Sequence, residues 1–163
     1  METRNDLAKL FTGIGVEIGV ERGHFAKVIC QYADRLYAID PWKAYQGYRE
    51  HVSQERQDGF YEETKERLKG LSCEVVRKFS TDAAKDFEDG SLDFVYIDAN
   101  HTYESVMIDM ITWLPKLRQG GIMAGHDYSL FDVAEAVSGY VSFLDKELKI
   151  WRGDKSPSWS FIK

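Results

Sequence analysis

The chain has 163 residues, one domain's length where domains run to about 100–200 residues, and its 44% hydrophobic and 29% charged residues describe an ordinary globular protein rather than a disordered one. Its 21 basic and 27 acidic residues sum to −6 with no basic run, which weighs against a phosphate-tracking nucleic-acid binder. No stretch approaches the roughly 18 apolar residues of a membrane span, and METRNDLAKL lacks the apolar core of a signal peptide, so a cytoplasmic location is expected.

Asn5 is placed to cap a short helix with Leu7, Leu10 and Phe11 on one face. Gly15–Ile18 reads as a strand, Gly19–Gly23 as a turn, and His24–Arg35 has helical spacing in Phe25, Val28, Ile29 and Tyr32. A second strand, Leu36–Ile39, ends at Asp40-Pro41. The polar segment 43–70 carries a helical stripe of Phe60, Tyr61, Thr64 and Leu68, and is the one obvious cover for a cleft, with Tyr45 and Tyr48 facing inward. Cys73–Val76 is a third strand, followed by a short helix from Ala83 to Phe87 capped by Ser80 or Thr81. Leu92–Ile97 is a fourth strand ending at Asp98. A helix from about Thr102 to Arg118 is stopped by Gly120-Gly121, and Ile122–Gly125 is the fifth strand. Asp132 and Glu135 have capping-box spacing for a helix from Val133 to about Asp145. Leu148–Arg152 and Ser158–Ile162 flank a Gly-Asp-Lys-Ser-Pro turn as a closing hairpin. Cys30 and Cys73 form neither a disulfide framework nor a Cys-x-x-Cys metal pair and read as reduced residues near the core.

Five strand–helix cycles call for a single α/β domain: a mostly parallel sheet with helices on both faces and a C-terminal antiparallel hairpin. In such sheets ligands sit beyond the carboxyl ends of the strands. That singles out Glu17–Gly23, Asp40–Trp42, Ser80–Asp82, Asp98–His101 and His126-Asp127.

The first of these segments, GVEIGVERG, does not match the Gly-x-Gly-x-x-Gly dinucleotide fingerprint; it reads acidic-x-Gly-x-x-x-Gly through Glu17, Gly19 and Gly23. Gly19 permits a positive φ and close backbone approach, and Gly23 lets the next helix pack tightly. Asp40 follows Gly19 by 21 residues at the end of the second strand, where a carboxylate can accept ribose hydroxyls. This pattern resembles motifs I and II of class I S-adenosylmethionine (SAM)-dependent methyltransferases. Glu21 departs from it, standing where many members carry a middle glycine.

The segments DFVYIDANHTYES (93–105) and KLRQGGIMAGHDY (116–128) bring Asp98 and His126-Asp127 to two neighbouring strand ends, about 5 Å apart. This two-part motif resembles the divalent-metal-dependent O-methyltransferases, in particular the small family that includes macrocin O-methyltransferase, over about Gly15 to Phe143. The resemblance implies a Rossmann-like fold with a seven-stranded sheet and assigns roles residue by residue. Asp98 and Asp127 match metal-ligand positions, and His126 is the third candidate ligand, at a position usually acidic in related sugar methyltransferases. His101 matches a general base, Asp40 the ribose-binding acid, and Ser80, Thr81 and the residues to Ala83 the adenine-side loop. Trp42 is the aromatic best placed to contact adenine, whereas Trp113, mid-helix, reads as core.

The implied activity is methyl transfer from SAM to a hydroxyl of a small polyhydroxylated acceptor, a sugar or glycoside. Mg²⁺ or Mn²⁺ on hard oxygen donors would assist. The partners implied are that acceptor, with no nucleic acid or membrane; a homo-oligomer is left open. Two other readings stand beside it: a metal-independent methyltransferase acting on another nucleophile, and a non-catalytic nucleotide-binding scaffold.

Overall fold

A computed structural model describes residues 1–45 and 52–163. Its strands are β1 (Ile14–Ile18), β2 (Arg35–Asp40), β3 (Cys73–Arg77), β4 (Leu92–Ile97), β5 (Leu117–Gly125), β6 (Lys149–Trp151) and β7 (Ser158–Ile162). They form one seven-stranded sheet in the order β3-β2-β1-β4-β5-β7-β6. The first five are parallel, and β7 runs antiparallel to both β5 and β6. The helices are α1 (Arg4–Ala8), α2 (His24–Ile29), α3 (Gln54–Leu68), α4 (Ser80–Ala83), α5 (Tyr103–Trp113) and α6 (Phe131–Phe143). No helix among the described residues is long and apolar enough to cross a membrane.

Strand alternation divides the core between the two faces of the sheet. Val16, Ile18, Val95, Ile97 and Met123 pack with Met110 and Trp113 of α5 and Val137 and Val141 of α6. Phe94 and Tyr96 point the other way, into Leu7, Phe11, Phe25, Ile29 and Phe60 from the α1–α3 side. β1 is buried almost end to end, as a central parallel strand must be. Its one charged residue, Glu17, is only 1% exposed.

The structure moves several boundaries, each for a local reason. Thr3, not Asn5, caps α1: its hydroxyl accepts from Asp6 N while the Asp6 carboxylate accepts from Thr3 N, a reciprocal capping box. α2 ends at Ile29 and leaves Arg35 to β2, which begins the pairing of Arg35 with Ile14. α5 stops at Trp113: Leu114, still in helical backbone (φ −56, ψ −42), is its C-cap, and Pro115 behind it has no N–H with which to extend the hydrogen-bond ladder. β5 therefore starts at Leu117, paired with Leu92, and Gly120-Gly121 lies inside the strand instead of ending a helix. α6 begins at Phe131 behind Leu130 with no side-chain cap, so the Asp132/Glu135 capping box does not form. The fold class and the hairpin stand as the sequence reads them, and the strands end within one residue of expectation. α4, however, spans Ser80–Ala83 behind Phe79 with no side-chain cap, so Ser80 and Thr81 lie within the helix instead of capping one that starts at Ala83. Tyr48 lies outside the described residues.

Candidate functional site

The strand order reverses between β1 and β4, and such a switch point opens a crevice at the carboxyl ends. Gly19 N donates to Ile39 O (2.9 Å) and Asp98 N to Ile18 O (2.7 Å), so the chain leaves both strands at one place. Gly19 has φ 84, and a Cβ there would meet Asp98 O at 2.0 Å. The need for glycine thus comes first from the neighbouring backbone, before any ligand is considered.

The turn after β1 is held from several sides. The Asp40 carboxylate accepts from Val20 N and Glu21 N (both 3.0 Å) through one oxygen and from Trp42 N (2.7 Å) through the other. Burial raises its pKa while the Glu21, Trp42 and Val20 N–H groups hold it back. Glu21 takes φ 50, a left-handed conformation its side chain disfavours. The structure fixes that conformation by gripping its carbonyl, which accepts from Trp42 Nε1 (2.7 Å) and Thr64 Oγ1 (3.0 Å). Trp42 is accordingly not an adenine contact: it is fully buried, its ring 5.0 Å from that of Tyr61, and its one polar atom clamps the glycine turn. Gly23 (φ 72) stands before α2, where a Cβ would meet Thr64 Cγ2 at 3.1 Å, so it seats α3 and does not line the cleft.

A cavity of about 210 Å³ lies over the ends of β1, β2 and β3. Ile39, Pro41, Phe79 and Ile108 give it apolar walls, Asp40, Ser80, Thr81 and Asp109 its polar points, and Tyr45 and Gln57 part of its cover. An apolar cavity beside a buried carboxylate suits a nucleoside, so these residues fit the cofactor that the sequence implies.

A second cavity, of about 280 Å³, shares Gly19, Glu21, Asp98 and Ala99 with the first and opens over β4 and β5. It is strongly polar. Asp98, His101 and Asp127 each offer a donor atom within 4.8 Å of the others. His101 Nε2 lies 3.0 Å from Asp127 and 3.6 Å from Asp98, yet it is buried and makes no aligned hydrogen bond. Asp127, foremost, and Asp98 raise the imidazole to about 9, against burial. Two carboxylates and an imidazole gathered this closely form a donor set that a hard divalent cation fits. His126, expected from sequence as the third candidate ligand, is not in this trio: its Nδ1 turns to the other oxygen of Asp127, 3.2 Å away. The structure gathers His101 instead: from three residues past Asp98, its Nε2 reaches Asp127 beyond the end of β5.

Three further residues complete the site. Arg4, from α1, places its guanidinium 2.9 Å from Asp98 and 3.8 Å from the centre of the Phe25 ring. Ser156, in the turn between β6 and β7, donates to Asp127 (2.6 Å). Glu17 lines the second cavity, with one carboxylate oxygen buried and without a hydrogen-bond partner. Burial pushes its carboxyl well above the ordinary range, against the pull of Arg4. Sequence reading passed over Arg4 and Ser156, which lie 94 and 29 residues from the aspartates they touch.

Sheet order, glycine turn and paired cavities together define a Rossmann-like α/β domain with a crevice at its switch point. Residues 16–128 match the family described as methyltransferase domain, and the chain belongs to that family. An uncharacterized protein of Sinorhizobium fredii, y4gI, is 31% identical over 125 residues, 69% of this chain. The chain spans 13% of that relative's length. Among solved structures, a SAM-dependent O-methyltransferase from Thermotoga maritima aligns over 98% of this chain and 62% of its own, with TM-score 0.69 and 13% identity. An O-methyltransferase from Bacillus cereus in complex with SAH (S-adenosylhomocysteine) aligns over 92% and 74%, with TM-score 0.63 and 13% identity. At such identities these two report the fold.

Proposed function

We propose that this domain transfers a methyl group from SAM to a hydroxyl of a small polyhydroxylated acceptor, a sugar or glycoside, with a divalent cation assisting, in the manner of the macrocin O-methyltransferase branch. One observation carries the reading: two cavities of opposite character meet at Gly19 and Asp98, and the second holds the Asp98–His101–Asp127 trio.

In this reading Asp40 accepts the ribose hydroxyls, Ser80 and Thr81 border the base, and the backbone at Gly19 lets the sulfonium reach the seam between the cavities. SAM supplies a methyl on a positively charged sulfur, which an oxygen takes in line: the C–O bond forms, the C–S bond breaks, and its electron pair stays on sulfur. Asp98 and Asp127 would hold Mg²⁺ or Mn²⁺, whose charge lowers the hydroxyl's pKa and offsets the carboxylates that otherwise keep His101 protonated. His101 Nε2 then takes the acceptor proton. Phe25 gives the acceptor an apolar wall, and Glu17 and Arg4 give it polar points.

Titration calorimetry with SAM and with SAH, each with and without Mg²⁺, tests this. Both should bind without metal, with affinities that Mg²⁺ leaves unchanged. Absence of SAM and SAH binding in either condition would overturn the reading.

A further inference from the structure

Asp109 lies in the middle of α5, on the helix face that also carries Val106, Met110 and Trp113. A carboxylate on an apolar face demands a reason, since a buried charge without partners is expensive. It is 6% exposed and lines the first cavity. One oxygen accepts from Ser80 Oγ at 2.5 Å, and Ser80 Oγ in turn accepts from Trp113 Nε1 at 2.8 Å. The other oxygen receives no hydrogen bond from any described residue. Burial raises Asp109 to about 6, with Ser80 opposing, so it is mostly ionised at neutral pH.

Position along the rim sharpens this. Ser80 follows β3, three strand steps from β4 where Asp98 stands, about 14 Å at ~4.8 Å per step. Asp40 lies between them at the end of β2. A nucleoside whose ribose reaches Asp40 and whose sulfur reaches the seam at Gly19 and Asp98 therefore points its base at Ser80 and Asp109. The edge of adenine at C6 carries an amino group, which only donates, beside a ring nitrogen that only accepts. A carboxylate matches the amino group; the Ser80–Trp113 chain holds it in register. Hypoxanthine turns that edge around, with a carbonyl at C6 that a carboxylate repels.

We propose that Asp109, oriented by Ser80, reads the C6 amino group of the cofactor's base and sets the specificity of the first cavity for adenine. The proposal rests on the SAM reading above, and the test separates the two. Calorimetry is run with SAH and with S-inosyl-L-homocysteine on the wild-type domain, Asp109→Asn and Ser80→Ala. Wild type should bind SAH at least tenfold more tightly than the inosyl compound, because a site built for one hydrogen-bonding pattern leaves its polar groups unpaired with the other. Asp109→Asn, which presents an amide N–H to a C6 carbonyl, should shrink that ratio at least tenfold. Ser80→Ala should shrink it less.

If Asp109 merely ties α5 to α4, its loss should weaken both compounds equally or lower the melting temperature, with the ratio unchanged. That result overturns the proposal, as does a wild-type protein that binds both compounds alike. Wild type binding neither compound overturns the SAM reading and this proposal with it. Should Asp109→Asn fail to fold, an unchanged ratio in Ser80→Ala is decisive against it.

Discussion

The two cavities share four residues and part of their walls, yet they are built on opposite principles. In the first, apolar walls from Ile39, Pro41, Phe79 and Ile108 surround carboxylates that the protein holds in place: Asp40 by three backbone N–H donors, Asp109 through one of its two oxygens by Ser80. In the second, charged groups face one another with their hydrogen bonding unfinished. Glu17, Arg4 and His101 each bury a polar atom that finds no hydrogen-bond partner. The first is organised to hold one shape. The second keeps free valence for groups that arrive, which is what a site for a reacting oxygen and a cation requires. Backbone strain lies at their rims: Glu21, Trp42 and Asp127, at the ends of β1, β2 and β5, all take positive φ.

Breaking the second cavity should have the largest effect. Asp98→Asn and Asp127→Asn should each lower methyl transfer by about 10³-fold or more while SAH still binds, because the lost term is charge stabilisation and not cofactor affinity. Full turnover in the presence of EDTA would exclude the cation outright. His101→Ala should lower the rate by roughly 10²–10⁴-fold with metal binding retained, as for loss of a general base. If Mg²⁺ binding disappears with the imidazole, His101 is a ligand and not the base, and calorimetry distinguishes these.

The first cavity should fail in affinity and not in rate. Asp40→Asn removes the charge from a carboxylate with three backbone partners, so SAH binding should weaken by about 1.5–3 kcal/mol. The melting temperature should fall with it, since the same oxygens hold the glycine turn. Gly19→Val, which looks from sequence like a clean way to block the cofactor, should instead destabilise the whole domain: its Cβ would lie 2.0 Å from Asp98 O. A folded Gly19→Val protein of wild-type melting temperature would contradict that packing.

What was legible in the sequence follows from the range of the interactions. Strand ends, the glycine turn and the Asp98…His126-Asp127 pair were readable because the sheet brings them together by rule. The Asp109 signal was also present: positions 106, 109, 110 and 113 repeat at helical spacing, and the single carboxylate on that face marks a polar group the core must satisfy. Arg4 and Ser156 carried no such mark, since only the docking of α1 and the hairpin turn decides which carboxylates they meet. Trp42 was misread because an aromatic at a strand end fills a pocket or a core equally well. The choice fell to one hydrogen bond, from its indole to Glu21 O, that spacing does not encode. Pro115 was the missed local signal, in plain view two residues before β5.

The smallest effect sharpens the comparison most, because it carries a sign that acid unfolding lacks. Asp109, raised to about 6 by burial, binds a proton more readily in the folded protein than in the unfolded chain. Between about pH 3.8 and 6 the folded state therefore holds more protons, and this group's contribution to stability falls as pH rises through that window. Lowering the pH from 7 to 5 should make Asp109 favour the folded state while converting its carboxylate into a poorer acceptor for an amino group. SAH affinity should drop by up to about tenfold over that range, with its midpoint near 6, and that drop should vanish in Asp109→Asn. Calorimetry of SAH binding against pH, paired with thermal melts of the ligand-free protein, gives both curves. An affinity loss that tracks the melting temperature would mean that the cavity opens as the fold loosens, and that Asp109 does not govern the pH response.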